Sequence, residues 1–233
     1  MLEAATVAVL GTAVLAMWWD IAPEVRADFE NWHAHEHFPE RLSVSGFRRA
    51  TRWSSADSGE GMFVMYELDG FEVLASPDYT SRLNSPTPWS IRLMPHHRNM
   101  VRSQCHVLES EGAVAARHAF TTRLSPAPEQ GERLRAAVRN LGADVRMRPG
   151  LVGLHLLRHE TPDIPATTEQ QIRGNADRVA DWVIVASGYE RNALDLLQSG
   201  DLAEPALQTM GAAPGAEQHM YTLAYSATSG DVI

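Results

Sequence analysis

The sequence has few of the features that several common classes of protein require. It contains one cysteine, Cys105, so no intrachain disulfide can form, and this fits a reducing compartment. Its 20 basic residues face 29 acidic ones, and the formal net charge of −9 argues against a nucleic-acid or anionic-membrane surface. No Gly-rich phosphate loop, Ser-His-Asp order or Cys-x-x-Cys pair is present.

Long hydrophobic runs are also scarce. Residues 4–19 are apolar apart from Thr6, Gly11 and Thr12, which is too short a run for a comfortable membrane span. A basic region typical of a secretory signal is missing, and Glu3 stands there instead. We therefore interpret residues 12–19 as a buried strand and predict a cytoplasmic protein without a membrane partner.

One short stretch is unusually rich in groups that transfer protons or bind metals. Residues 31–41 contain three histidines, His33, His35 and His37, within five positions, together with two carboxylates and an arginine. A proline followed by an acid at position 23 predicts a helix start upstream. Pro39 is expected to end or kink that helix, since it lacks an N–H group.

The apolar spacing of this helix leads to a carboxylate. Val25, Phe29 and Trp32 recur at helical spacing and define a buried face. At about 100° per residue, the next position on this face is Glu36. We therefore expect Glu36 to lie in, or at the mouth of, a cavity walled by the aromatic residues of the first half.

The order of predicted elements repeats along the chain. Strands are expected over residues 12–19, 47–53, 62–68 and 99–108, with helical segments after the first and third. The same order follows with strands over 118–124, 151–158, 182–186 and 220–225. This predicts an α+β fold of two tandem ferredoxin-like (β-α-β-β-α-β) repeats that pack sheet to sheet as a barrel. The predicted domains are residues 1–110 and 111–233. Loops are expected at 84–89, 109–112 and 162–178.

A short motif in the first half resembles a known family. Trp32, His35, His37 and Pro39, with residues 45–47 (Ser-Gly-Phe) before an arginine-bearing strand, resemble the EthD-like members of the dimeric α+β barrel superfamily. Ser45 stands where that family usually has proline. The resemblance implies a barrel made from two ferredoxin-like units. A tandem chain would build it internally, as chlorite dismutase-like proteins do.

The histidine-rich stretch allows three interpretations. The histidines can occupy a solvated helix end, where the helix dipole favours them. Glu36 with His33, His35 and His37 can instead form a general acid–base site, which makes these four the candidate catalytic residues. His33 and His37 also have the i, i+4 spacing of a metal-binding pair, but no His-Glu-x-x-His signature is present, and we expect no metal.

Aromatic residues of the first half are either core or the walls of a ligand cavity. The candidate substrate-binding residues are Trp32, Trp53, Tyr66, Asn84, Trp89 and Arg49.

These observations favour a small-molecule enzyme without an organic cofactor. It would act by acid–base chemistry on an apolar, aromatic or polyketide-like compound, in a decarboxylation, dehydration, cyclisation or isomerisation. Three alternatives stay open: a cofactor-free monooxygenase of the antibiotic-biosynthesis type, a non-catalytic or stress-associated binding protein, and a haem- or metal-dependent enzyme. Resemblance to chlorite dismutase-like proteins makes His155 and His159 the haem candidates. A homodimer is compatible with the superfamily.

Overall fold

The computed structural model describes residues 9–174 and 177–232 as alternating strands and helices. The strands are β1 (Ala13–Asp20), β2 (Phe47–Ser55), β3 (Gly61–Leu68), β4 (Arg98–Gly112), β5 (His118–Leu124), β6 (Leu151–His159), β7 (Trp182–Gly188) and β8 (Glu217–Thr228). The α-helices are α1 (Pro23–Trp32), α2 (Phe38–Leu42), α3 (Pro77–Asn84), α4 (Pro88–Leu93), α5 (Gly131–Val145), α6 (Thr168–Ile172), α7 (Arg191–Ser199) and α8 (Glu204–Met210). A π-helical segment, His33–His37, joins α1 to α2, and short 3₁₀ turns occupy Phe71–Ala75, Met94–His96 and Ser229–Asp231.

The strands pair in the ferredoxin-like pattern in both halves of the chain. β1 pairs antiparallel with β3 and β4, and β2 pairs antiparallel with β3. In the same way, β5 pairs with β7 and β8, and β6 pairs with β7. The full strand order is β1-β3-β2-β8-β5-β7-β6-β4, a closed barrel. The predicted fold class, a tandem ferredoxin-like α+β barrel, is confirmed.

Contacts divide the chain into two compact units. The first unit comprises Leu10–His106, His159–Val179 and Ala224–Ile233. The second unit contains Val107–Arg158 and Ala180–Leu223. The candidate site described below lies wholly within the first unit. The predicted domain boundary near residue 110 stays a prediction.

Three predicted loops contain regular structure. Helix α4 begins at Pro88, because proline fits the first turn of a helix and the Thr87 hydroxyl caps it by accepting the Ser90 N–H at 3.0 Å. Residues 109–112 continue β4 instead of forming a spacer. The polar segment 162–178 contains α6, capped by Thr167. Helix α8 was not predicted at all.

Side chains of the first sheet alternate between two apolar layers, as the period of a strand requires. Trp19 and Tyr66 lie on the face that packs against α1 and α2. Trp18, Phe63 and Trp53 lie on the opposite face and stack, with ring centroids 5.0 and 5.1 Å apart. Trp53 is therefore a fully buried core residue on the face away from these helices, which differs from its predicted role in substrate binding.

No helix in residues 9–174 or 177–232 has the length and apolar character needed to cross a membrane.

Candidate active site

The candidate site is built around the π-helical segment. The Phe38 N–H donates to the carbonyl of His33, five residues back, where an α-helix would use a residue four back. Pro39 follows in the first turn of α2, and the helix continues to Leu42. Of the two outcomes expected at Pro39, an end or a kink, the helix does not end there, and its hydrogen bonding changes to a π turn just before the proline. The wider π turn just before it accommodates a residue that has no N–H to donate.

This segment brings two of the three predicted histidines together. His33 and His37 are both buried, and their rings stack with centroids 5.3 Å apart and planes 12° apart. His35 is exposed, and its Nδ1 lies 3.0 Å from the carbonyl oxygen of Asn31. Two of the histidines thus face the protein interior, whereas His35 faces solvent.

Glu36 is half-buried and has hydrogen-bond partners of its own. Its Oε1 accepts from Trp32 Nε1 at 3.1 Å and from the Thr87 hydroxyl at 2.5 Å. It does not line either of the two cavities described below. The contacts tie the π segment to the cap of α4, and a catalytic role for Glu36 stays a prediction.

A small cavity lies beside the stacked histidines. This inner cavity has a volume of about 30 Å³. Its walls combine seven aromatic or imidazole rings with five leucine or methionine side chains, three arginines and one glutamate. The ring-bearing wall residues are Trp19, Trp32, His33, His37, Tyr66, Tyr79 and His97.

Five polar atoms of the cavity wall have no hydrogen-bond partner among the described residues. They are Trp19 Nε1, His33 Nδ1, His37 Nδ1, Tyr66 OH and Arg41 Nη1. All five side chains are less than a tenth exposed. His37 Nδ1 and Arg41 Nη1 lie 3.9 and 3.5 Å from a Glu40 oxygen, whereas the other three atoms have no such contact with the described residues. Buried polar groups in folded proteins are nearly always paired, so these atoms mark a place for a ligand or ordered water.

The imidazoles of the cavity are held in the neutral form. Burial lowers the pKa of His33 and of His37 well below the ordinary value, and nearby arginines, Arg52 for His33 and Arg41 for His37, lower it further. Burial also raises the pKa of the Tyr66 hydroxyl. At neutral pH the site therefore offers free imidazole bases beside a neutral hydroxyl donor.

Charged groups at one end of the cavity neutralise one another. Arg41 forms a buried ion pair with Glu169 and lies 3.5 Å from Glu40 Oε2. The same Glu40 oxygen is 3.9 Å from His37 Nδ1. Burial raises the pKa of Glu40. A carboxyl group thus stands next to one imidazole of the stacked pair.

A larger space adjoins the inner cavity. This outer chamber has a volume of about 300 Å³, and part of its lining comes from β4, α6 and the residues around them. Leu83, Arg102 and Arg173 line both spaces. The two cavities therefore share a wall, and the outer chamber reaches the lower end of the size range for small-molecule sites.

Three predicted substrate-binding residues are tied to other parts of the first unit. Arg49 donates to both carboxylate oxygens of Glu67, at 2.6 and 2.8 Å, because that fully buried carboxylate needs a cation. Asn84 accepts the Thr168 N–H at 3.0 Å and so caps α6.

Trp89 is half-buried and donates to Asp28 at 3.2 Å. None of the three lines the inner cavity or the outer chamber. Of the predicted set, Trp32 and Tyr66 do line the inner cavity.

The sequence interpretation missed several residues of the site. The sequence predicts no role for His97, yet it packs edge-on against Trp19 with ring centroids 4.9 Å apart. Glu169 lies in a segment expected to be an irregular polar loop. Arg41 belongs to the histidine-rich stretch 31–41, but the sequence predicted no role for it. Only the start of α6, where Thr167 is followed three residues later by Gln170, would have indicated a capped helix there.

The histidines proposed for haem ligation do not fit an axial ligand. His155 is 1% exposed, and its two ring nitrogens lie 2.8 Å from Ser110 Oγ and 3.4 Å from the carbonyl of Ala113. His159 Nδ1 is 3.0 Å from the carbonyl of Gln104. Within the part of the chain that the structure describes, no group of three or more His, Cys, Asp or Glu side chains is arranged to hold a metal ion.

Acidification is expected to destabilise the protein through these imidazoles. The pKa of His97 is lowered to about 4, mainly by burial, from an ordinary value of 6.5. Between these values the unfolded chain binds a proton that the folded chain does not. The free energy of unfolding is therefore complete above pH 6.5 and falls by about 3 kcal/mol for His97 alone as the pH approaches 4. His33 and His37 act in the same direction.

Urea unfolding at pH 7.5 and pH 5 measures this loss. The His97→Gln variant should show a smaller difference between the two pH values than the wild type. An unchanged difference in the variant would show that His97 is not titrating as described.

Comparison with known proteins gives matches to solved structures only. No protein-family model matches the sequence, and no curated protein is significantly similar to it. An anthrone oxidase-like protein has 12% identity and a TM-score of 0.64, with 98% of both chains covered. The likeness is one of fold alone.

Two further structures share this fold. A proposed monooxygenase from Fusobacterium nucleatum has 6% identity and a TM-score of 0.60, with 94% of this chain and 95% of that chain covered. A ferredoxin-fold protein related to antibiotic biosynthesis monooxygenases, from Listeria monocytogenes, has 8% identity and a TM-score of 0.50, with 93% and 97% covered. These matches show a shared ferredoxin-like fold, and they do not test the EthD-like resemblance.

Proposed function

We propose that the chain is a small-molecule enzyme that oxidises an enolisable, apolar aromatic compound with dioxygen, using no organic cofactor. The observation that carries the proposal is the set of unpaired buried polar atoms in an aromatic cavity, next to imidazoles held neutral. Support also comes from the fold, which is shared with an anthrone oxidase-like protein and a proposed monooxygenase.

His37 is the proposed base. Its neutral imidazole can remove a proton from a carbon next to a carbonyl group, which leaves an enolate. Glu40, 3.9 Å from His37 Nδ1, would stabilise the imidazolium that forms. The hydroxyl of Tyr66 and the guanidinium of Arg41 line the same cavity and would stabilise the enolate oxygen. His33 is a weaker candidate base, since Glu40 lies beside His37 and no such carboxylate contact is found for His33 among the described residues.

The enolate itself supplies the electrons for oxygen. A new C–O bond forms between the enolate carbon and dioxygen, and the proton on His37 returns to give a hydroperoxide. Loss of water from the hydroperoxide then leaves a ketone, so that a CH₂ group and O₂ become C=O and H₂O. The inner cavity, at about 30 Å³, can hold a molecule the size of dioxygen or one or two waters. The outer chamber would hold the rings.

A second candidate reaction uses the same first step. If the enolate is reprotonated at another carbon or expels a leaving group, the enzyme is an isomerase or a lyase. The base and the oxyanion donors favour this reaction equally, because neither depends on oxygen.

Anthrone is the probe that separates the two reactions. With the purified, chelator-treated protein, we expect oxygen uptake equal to anthraquinone formed, at a rate well above that in buffer. Incorporation of deuterium from D₂O without oxygen uptake would replace the oxidase by the second candidate. If neither is observed while anthrone still binds, the protein is a non-catalytic binder and the proposal is wrong.

The EthD-like relationship and a homodimer are kept as proposals. Trp32 and His37 of the motif line the inner cavity, whereas His35 is exposed. A site at the inner cavity would therefore use Trp32 and His37 of the EthD-like motif, and not His35.

A further inference from the structure

One face of β4 connects the two cavities. Met100, Arg102 and Gln104 are two residues apart, so their side chains lie on the same face of the strand. Met100 and Arg102 line the inner cavity, and Arg102 and Gln104 line the outer chamber. Along this face the chemistry changes from apolar to cationic to amide.

Arg102 differs from the other two arginines of these cavities in its partners. Arg41 is paired with Glu169, and Arg173 is 2.9 Å from Asp177. Arg102 donates to the hydroxyl of Tyr79 at 3.1 Å, and it forms no ion pair with any residue in 9–174 or 177–232. The shared wall therefore carries one positive charge that no carboxylate of the described chain neutralises.

Gln104 supplies a second, independent observation. It is 8% exposed, yet its side-chain amide makes no hydrogen bond to the residues that the structure describes. Its backbone carbonyl is occupied by His159 Nδ1 and by the Glu160 N–H. An amide that lines the outer chamber, two residues from an arginine that forms no ion pair with the described residues, provides a donor pair for an anionic oxygen.

We infer that Arg102 and Gln104 bind an anionic oxygen of the substrate, a carboxylate or a phenolate, and so select acidic aromatic compounds. This inference rests on the proposed function and specifies its substrate class. The acidic group would be held at the shared wall, with the rings in the outer chamber and the reacting carbon toward the inner cavity and His37. Arg102 is then a specificity-determining residue.

Equilibrium binding tests the inference independently of turnover. The probes are 9-anthracenecarboxylate and its neutral counterpart 9-anthracenemethanol. Their binding is followed by quenching of the protein's tryptophan fluorescence, to which Trp19 and Trp32 of the inner cavity contribute. Wild-type protein should bind the carboxylate at least tenfold more tightly than the alcohol. Arg102→Met should weaken carboxylate binding about 10- to 100-fold, the range for hydrogen bonds to charged groups, and change alcohol binding less than twofold.

Additional variants exclude a general effect on the fold. Arg102→Lys keeps the charge without the planar fork and should bind the carboxylate with intermediate affinity. Arg92→Met removes an exposed arginine paired with Asp28 and should leave both affinities unchanged. Binding of 2-anthrol, measured at pH values below and above the pKa of its hydroxyl group, shows whether a phenolate is accepted as well as a carboxylate.

The outcomes separate this inference from the proposed function. If Arg102→Met loses affinity for both ligands equally, or for neither, the inference is overturned even if anthrone is oxidised. If the preference for the carboxylate over the alcohol disappears in Arg102→Met and persists in His37→Gln, the binding role is upheld even if no turnover is found.

Discussion

Replacing His37 with glutamine is expected to reduce kcat/KM for anthrone by about 10²- to 10⁴-fold, the usual contribution of a positioned general base. Glutamine has a similar length and can hydrogen-bond, but it cannot accept the proton. Burial lowers the pKa of His37 well below 6.5. The wild-type rate should therefore still be at its plateau at pH 6.5 and should decline only at lower pH. Initial oxygen-uptake rates across this pH range measure both effects.

His35→Gln is the matched control for this substitution. His35 lies in the same π segment, but its side chain is exposed and lines neither cavity. Its variant should retain wild-type kcat/KM within about twofold. If the two variants lose activity equally, the segment acts through its conformation, and His37 is not the base.

Replacing Glu169 with glutamine is expected to lower the free energy of unfolding by about 3–5 kcal/mol, since it leaves the Arg41 guanidinium buried without its main counterion. Both side chains are at most 4% exposed, so water cannot compensate. For a chain of this length the melting temperature should fall by roughly 6–20 °C. Thermal unfolding followed by circular dichroism measures the change.

A double variant separates charge from packing. In Arg41→Met/Glu169→Met both charges are removed together, and most of the lost stability should return, because a buried ion pair is often replaceable by apolar side chains. Arg173 keeps Asp177 as its partner at 2.9 Å in every variant. A double variant as unstable as Glu169→Gln would contradict the account, and would show that the pair contributes through contacts beyond charge.

Local periodicity was sufficient to predict the framework of the fold. All eight strands were placed, and β5 was predicted with its observed bounds, because alternating and fully apolar runs are visible without knowledge of tertiary contacts. Loops were predicted less well. The sequence predicts a loop over residues 84–89, which contain two prolines, although Pro88 occupies the helical position that favours proline.

The site was only partly predictable for two physical reasons. The placement of Glu36 assumed uniform α-helical geometry, and no signal in the sequence marks the change to i→i+5 hydrogen bonding between His33 and Phe38. Glu169 and Arg102 reach the cavity only through tertiary structure. Glu169 lies 128 positions from Arg41 in the chain, and no local pattern connects residues so far apart.

The π-helical segment also affects how this chain can be compared with its structural relatives. A turn closed by i→i+5 bonds contains one residue more than the α-helical turn it replaces. Superposed on a straight helix, residues 33–37 therefore require a one-residue gap inside a helix. An ungapped alignment would place every residue of α2, including Arg41, one position out of step with its structural counterpart.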